Sequence, residues 1–199
     1  MGTEIERKFL VRGGAWRRQV ESSALLRQGY LANTDRASIR VRITGQGIRE
    51  DTGGDARAAS MPGEAAFLCD VTEAWLSVKS MTPGLVRQEY EYRIPVDEAE
   101  SLLRLCTGPL LEKWRHFVPV ARAGEPSATR AAPHLFEIDE FLGDNAGLIV
   151  AELELDHPDE PFPRPDWLGP EVTPHERYYN FRLATYPYRN WTALERNPG

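Results

Sequence analysis

The chain has 199 residues, 41% hydrophobic and 27% charged, with a formal net charge of −6. That length suffices for one domain with its own core, and the composition lies far from the weakly apolar, highly charged range in which chains stay unfolded. The acidic balance argues against nucleic acid or an anionic membrane as the principal partner.

Near Met1 the apolar residues Ile5, Phe9, Leu10 and Val11 are interleaved with charge, so no export signal is read there. No stretch reaches membrane-spanning length, and Glu6 stands where a myristoylation motif wants Ser or Thr. Cys69 and Cys106 are then expected as reduced thiols of a soluble, cytoplasmic protein, with no zinc-type spacing between them.

From Thr3 to Val11 the residues alternate, with Glu4, Glu6 and Lys8 on one parity and Ile5, Arg7 and Phe9 on the other. Period two predicts a strand with the first set on one face. Further strands are expected at Leu25–Leu31, Ala37–Thr44, Glu73–Ser80, Val86–Pro95, Leu110–Val118, Leu135–Leu142 and Leu148–Asp156, separated by Gly, Pro, Asn or Asp. A set of about eight strands suits a barrel or a sandwich. Gly45–Asp70, rich in Gly, Ala, Asp and Glu, reads as a long mobile loop inserted into a hairpin. Asp97 is placed to cap a helix running to about Leu105, stopped by Gly108-Pro109. The proline-rich stretch from Asp156 to Pro174 reads as an ordered irregular excursion, and Tyr178–Thr185 as a second helix.

Compared parity by parity, the strands share one design. Arg40 and Arg42 oppose Ile39, Val41 and Ile43; Ser77 and Lys79 oppose Leu76 and Val78; Glu152 and Glu154 oppose Leu153 and Leu155. Arg87, Glu89 and Glu91 oppose Tyr90 and Tyr92, and Lys113, Arg115 and Asp139 continue the charged set. A single such strand is ordinary in a half-exposed sheet. Repetition over seven strands points to a sheet closed around a wet, charged lumen, its apolar faces covered from outside. Stability alone does not explain that lumen, because desolvated charges cost several kcal/mol each unless well paired. A ligand does. Carboxylates at i, i+2 can share a hard cation such as Mg²⁺ or Mn²⁺, and opposed Arg and Lys can hold phosphate oxygens. The histidines at 116, 134, 157 and 175 are scattered and read as surface or loop residues, and Trp75, Trp114 and Trp167 as packing residues.

These residues resemble the CYTH, or triphosphate tunnel metalloenzyme, superfamily, whose hallmark is Glu-x-Glu-x-Lys, here Glu4-Ile5-Glu6-Arg7-Lys8. Arg40-Val41-Arg42, Ser77-Val78-Lys79, Glu89-Tyr90-Glu91, Glu112-Lys113-Trp114-Arg115, Glu137-Ile138-Asp139 and Glu152-Leu153-Glu154 follow in the family's order. Gln28-Gly29-Tyr30-Leu31 and Tyr178-Tyr179-Asn180 resemble its bacterial branch.

The resemblance implies an α+β, mainly antiparallel fold: an eight-stranded closed β-barrel with a charged lumen, helices packed outside, and one domain over residues 1–199. It implies a hydrolase that cleaves the terminal phosphoanhydride of a small triphosphate, inorganic triphosphate being favoured. Adenylate cyclase, thiamine or nucleoside triphosphatase, and a non-catalytic polyphosphate-binding module remain as alternatives. The implied cofactor is Mg²⁺ or Mn²⁺ on Glu4, Glu6 and Glu154, with Glu152 nearby. The implied phosphate cradle is Lys8, Arg40, Arg42, Lys79, Lys113 and Arg115, with Arg87 as an addition. Glu89, Glu91 and Asp139 would orient those basic groups or a second metal, and Lys8 with Tyr30 matches a catalytic Lys–Tyr pair. The expected partner is the triphosphate itself, with no nucleic acid and no membrane; a homodimer is left open.

Overall fold

The computed structural model describes residues 2–46, 70–80, 86–121 and 134–196. The side chains of residues 2–4, 46, 70, 86 and 87 lie outside that description, as do most of the expected insertion and Cys69. The strands are β1 (Gly2–Val11), β2 (Ser22–Asn33), β3 (Ala37–Gln46), β4 (Asp70–Ser80), β5 (Val86–Arg93), β6 (Leu111–Val120), β7 (His134–Phe141), β8 (Ile149–Glu154) and β9 (Leu168–Glu171). The helices are α1 (Val96–Leu103), α2 (Asn180–Thr185) and α3 (Ala193–Arg196). Asp97 sits in the first turn of α1 rather than capping it, because Pro95 takes the N-cap position.

The nine strands form one antiparallel sheet in the order β5-β4-β3-β2-β6-β7-β8-β1-β9. The expected eight-stranded closed barrel is corrected by the way β1 divides its pairing. Along Glu6–Leu10 it pairs with β8, along Gly2–Ile5 with β5, and at Phe9 and Val11 with β9. The result is a strongly curled nine-stranded sheet, not a continuous cylinder of eight. β9 falls within the stretch read as irregular because Gly169 and Pro170 weaken any strand signal. Glycine is needed there, since a Cβ on Gly169 would stand 2.6 Å from the Leu10 carbonyl oxygen.

The outer face is apolar, as period two demands. Val41, Ile43 and Ala74 are covered by Ala99 and Leu103 of α1. Ile5, Phe9, Phe136, Ile138, Leu153 and Leu155 pack with Trp16 and Trp167, the latter edge-on to Phe136 at 5.2 Å. Burying each such side chain stabilises the fold by about 1.5–3 kcal/mol.

The inner face is charged over only part of its length. Leu10, Leu111, Phe141 and Val150 share parity with Lys8, Lys113, Asp139 and Glu152, yet they cluster with Val172, Tyr178, Leu183 and Trp191 of the C-terminal segment. That end of the curl is filled with apolar side chains, and α2 sits against the interior. The expectation that all helices pack outside is therefore corrected: α1 does, α2 does not. Among the described residues no helix is long and apolar enough to cross a membrane.

Candidate active site

The remaining interior is a cavity of about 600 Å³. The two-residue repeat of the strands delivers to its wall Glu6 and Lys8 from β1, Tyr30 from β2, Arg40 and Arg42 from β3, Lys79 from β4, Glu89 and Glu91 from β5, Arg115 from β6, and Glu152 and Glu154 from β8. Glu4 pairs in register with Arg87 on the same stretch of β1 and β5, but both side chains lie outside the described residues. Lys113 and Asp139 are buried beneath the wall and are not part of the described lining.

Among the described residues, ion pairs of three groups are prominent on the wall. In the first, the Lys8 ammonium, 5% exposed, contacts Glu6 Oε2 at 2.6 Å and Glu152 Oε1, and lies 5.8 Å from the Tyr179 ring centre. Burial by itself would lower the pKa of Lys8; the Glu152 and Glu6 carboxylates outweigh it and raise the pKa above the ordinary lysine value. The backbone of Lys8 is anchored by Thr173, whose Oγ1 accepts its N–H at 2.9 Å.

In the second, Arg115 donates from Nε to Asp139 Oδ1 at 2.7 Å, from Nη2 to Asp139 Oδ2 at 2.8 Å and to Glu152 Oε2 at 2.6 Å, and from Nη1 to Glu137. Burial opposes its charge, but Asp139 and Glu137 hold its pKa well above the usual value. Glu152, which burial would raise, is held well below the usual carboxylate range by Lys8, Lys113 and Arg115.

In the third, Arg40 Nη2 donates to Ser77 Oγ at 3.3 Å and stands 3.6 Å from Glu91 Oε1, while Ser77 donates to the same Glu91 oxygen at 2.9 Å. Lys79 Nζ is 3.2 Å from Glu89, and Arg42 Nη2 is 3.6 Å from Glu91. These are cross-strand partners: Arg40 is opposite Ser77, Ser77 opposite Glu91, and Lys79 opposite Glu89. Register alone therefore brings them together. The buried Nε atoms of Arg40 and Arg42 have no hydrogen-bond partner among the described residues. Burial together with the neighbouring Arg40 and Arg115 pushes Arg42 down to about 10. Arg40 and Arg42, two neighbouring guanidiniums each with an unused Nε–H, are chemically suited to receive an anion.

Tyr30, 7% exposed, is on the same wall, and its hydroxyl accepts from Gln28 Nε2 at 3.4 Å. Lys8 and Tyr30 thus face one cavity, while the contacts of the Lys8 ammonium run to Glu6 and Glu152.

Glu6 and Glu154 are directly opposed across β1 and β8. Two like charges in that relation repel unless a cation lies between them, and an all-oxygen donor set suits a hard divalent ion. Among the described residues no group of three potential ligands is assembled, so a third carboxylate would have to come from Glu4, two residues along β1.

Several wall residues were not assigned a role from sequence. Glu137 had the right parity beside Asp139 and could have been found by it. Tyr179, Asn180 and Phe181 reach the cavity from the start of α2; the Tyr178-Tyr179-Asn180 motif marked the first two as family-like without giving them a role. The reading of the histidines is corrected in two cases. His116 is 1% exposed, with Nδ1 at 2.7 Å from Ser23 Oγ and its ring against Trp16, and His134, 5% exposed, lines the cavity 3.4 Å from Glu160. Both sit on strands that a period-two reading could not rank by depth. Cys106 is a free thiol.

The curled antiparallel sheet turns acidic and basic rows toward one cavity, and the chain is similar to proteins named inorganic triphosphatase. The chain is 35% identical over 192 residues to an inorganic triphosphatase of Acetivibrio thermocellus, covering 96% of this chain and 99% of that protein. It is 36% identical over 185 residues to an inorganic triphosphatase of Nitrosomonas europaea, covering 92% and 97%. The crystal structure of an inorganic triphosphatase matches with a TM-score of 0.54 at 32% identity, over 92% of this chain and 95% of that one. No family model matches. The chain belongs to the CYTH triphosphatase-like family.

Proposed function

We propose that this enzyme, a hydrolase acting on triphosphate, cleaves the terminal phosphoanhydride of inorganic triphosphate to pyrophosphate and phosphate, with Mg²⁺ or Mn²⁺ as its cofactor. The observation that carries the reading is the pair of buried, unsatisfied guanidinium Nε–H groups of Arg40 and Arg42 on the cavity wall. The relatives named inorganic triphosphatase support the choice of substrate.

The charge of the wall supports the cofactor. Among the described lining residues, Lys8, Arg40, Arg42, Lys79 and Arg115 are basic, whereas Glu6, Glu89, Glu91, Glu137, Glu152, Glu154, Asp156 and Glu160 are acidic. A lining with excess negative charge accepts a polyanion only together with cations. Glu6 and Glu154, joined by Glu4, are the residues to hold a divalent ion, which when bound would neutralise phosphate oxygens and polarise the terminal phosphoryl group.

Arg40, Arg42, Lys79 and Arg115 hold the non-bridging oxygens, and Lys8, kept protonated by its carboxylates, adds a fixed positive charge. Water attacks the terminal phosphorus as its bond to the bridging oxygen breaks, and pyrophosphate leaves with the electron pair. The transition state is loose, so positioning and electrostatics supply most of the acceleration and no strong base is required. The water proton passes to a wall carboxylate such as Glu91 as the new bond forms. Tyr30 limits the space beside Arg40, its partner in the β2–β3 register.

The test is phosphate release from inorganic triphosphate, thiamine triphosphate, ATP and long-chain polyphosphate, with Mg²⁺, with Mn²⁺ and with chelator, cyclic AMP being measured in parallel. Release from inorganic triphosphate in the metal arms alone is expected. Cyclic AMP from ATP, or triphosphate binding without turnover, would overturn the assignment.

A further inference from the structure

Lys113 and Arg115 lie two residues apart on β6 with the same parity, yet they differ in depth. The Arg115 guanidinium is on the cavity wall; the Lys113 side chain is 1% exposed and Asp139, between them, 0%. Asp139 Oδ1 accepts from Arg115 Nε at 2.7 Å, and Oδ2 accepts both from Arg115 Nη2 at 2.8 Å and from the Lys113 ammonium. The ammonium is sealed on its other sides by the Phe141 ring, 5.4 Å to its centre, and by Asn180, to whose Oδ1 it donates at 3.4 Å. A lysine so placed reaches no phosphate without leaving a buried carboxylate behind, a strongly unfavourable exchange.

We infer that Lys113 and Asp139 are positioning residues that act through Arg115 rather than groups that touch the substrate. The inference deepens the reading above and rests on it. Asp139 clamps the guanidinium by two hydrogen bonds and fixes the plane of its fork. Lys113 shares the Oδ2 atom, so it sets how much negative charge remains to draw Arg115 back toward the wall. Without the ammonium, Asp139 turns its full charge on Arg115, and the guanidinium is held deeper and more nearly neutralised, with less of it available to an oxyanion. The contact to Asn180 ties the same unit to α2, whose first residues line the cavity. Depth, not residue type, separates the two cations of this motif: one presents charge to the cavity and the other tunes it.

A double-mutant cycle on Lys113→Met and Arg115→Ala tests this, read both as kcat/KM for inorganic triphosphate with Mg²⁺ and as calorimetric affinity for the product pyrophosphate with Mg²⁺. If Lys113 works through Arg115, its replacement lowers both readouts about tenfold in the parent and by less than about twofold once Arg115 is gone. Equal penalties in the two backgrounds mean an independent phosphate contact and overturn the inference, as does a Lys113→Met enzyme indistinguishable from the parent. Lys113→Gln, which retains a donor to Asp139, replaces the Met variant in the cycle if the latter does not fold, and the same two outcomes decide. A parent enzyme that binds triphosphate without hydrolysing it refutes the proposed function while leaving the affinity cycle readable.

Discussion

Glu6 and Glu154 stand directly opposite one another across the β1–β8 ladder, both on the cavity wall, with the Lys8 ammonium 2.6 Å from Glu6. Glu6 therefore has the Lys8 cation beside it, and Glu154 is exposed. Replacing Glu154 by Gln removes a like-charge pair worth about 0.2–1 kcal/mol of repulsion. The variant is expected to melt no lower than the parent in chelator, to lose most of any melting-temperature rise caused by Mg²⁺, and to turn over at least about a hundredfold more slowly. Activity within twofold of the parent would remove Glu154 from the site.

Arg42 is held down to about 10 by burial and by the adjacent Arg40 and Arg115. Its charge is thus unfavourable in the empty cavity and becomes favourable when an anion arrives. Arg42→Gln should raise KM for inorganic triphosphate about tenfold or more, the scale of one hydrogen bond to a charged group. The melting-temperature rise that triphosphate produces should shrink in step. Thermal denaturation with and without the anion checks both.

Burial, opposed by Asp139 and reinforced by Arg115, pushes Lys113 from 10.5 down to about 8. Between those values the unfolded chain carries a proton that the folded chain has released, so stability rises with pH across that window and the slope vanishes below it. Relative to Lys113→Met, the parent is expected to gain on the order of 3 kcal/mol from pH 8 to 10.5. Urea denaturation at pH 7, 8, 9 and 10 measures it; a constant difference between the two proteins would refute the prediction.

Gly29 lies on the outer face of β2, and a Cβ there would stand 2.6 Å from Leu110 and 2.7 Å from Cys106 Sγ. Gly29→Ala should cost about 1–3 kcal/mol in urea denaturation, the usual penalty of overpacking. Since the Tyr30 carbonyl accepts from the Thr107 N–H at 2.9 Å in the same layer, the displacement should reach Tyr30 and lower kcat as well. Unchanged stability would show that Leu110 and Cys106 can give way.

The strands and most of the site were legible because alternation is local. Arg40 with Arg42, Glu152 with Glu154, and Glu6 with Lys8 announce their shared face within three residues, and the cavity does collect them. β9 was not legible, since Gly169 is there for a close approach to Leu10 that no local pattern records. Nor was the contribution of Tyr179, Asn180 and Phe181, which depends on where the chain returns after β9.

What the sequence determined by itself is therefore the parity of the sheet, the sign of each position's charge and the family to which the pattern belongs. Tertiary structure alone decided depth. Lys113 and Arg115 are equivalent by period and charge, and so are Asp139 and Glu137, but one of each pair is sealed and the other reaches the cavity. The reason is that period two fixes direction from the strand axis, whereas burial is set by what packs beyond it, here Phe141 and the distant Asn180, whose positions follow only from the curl of the whole sheet.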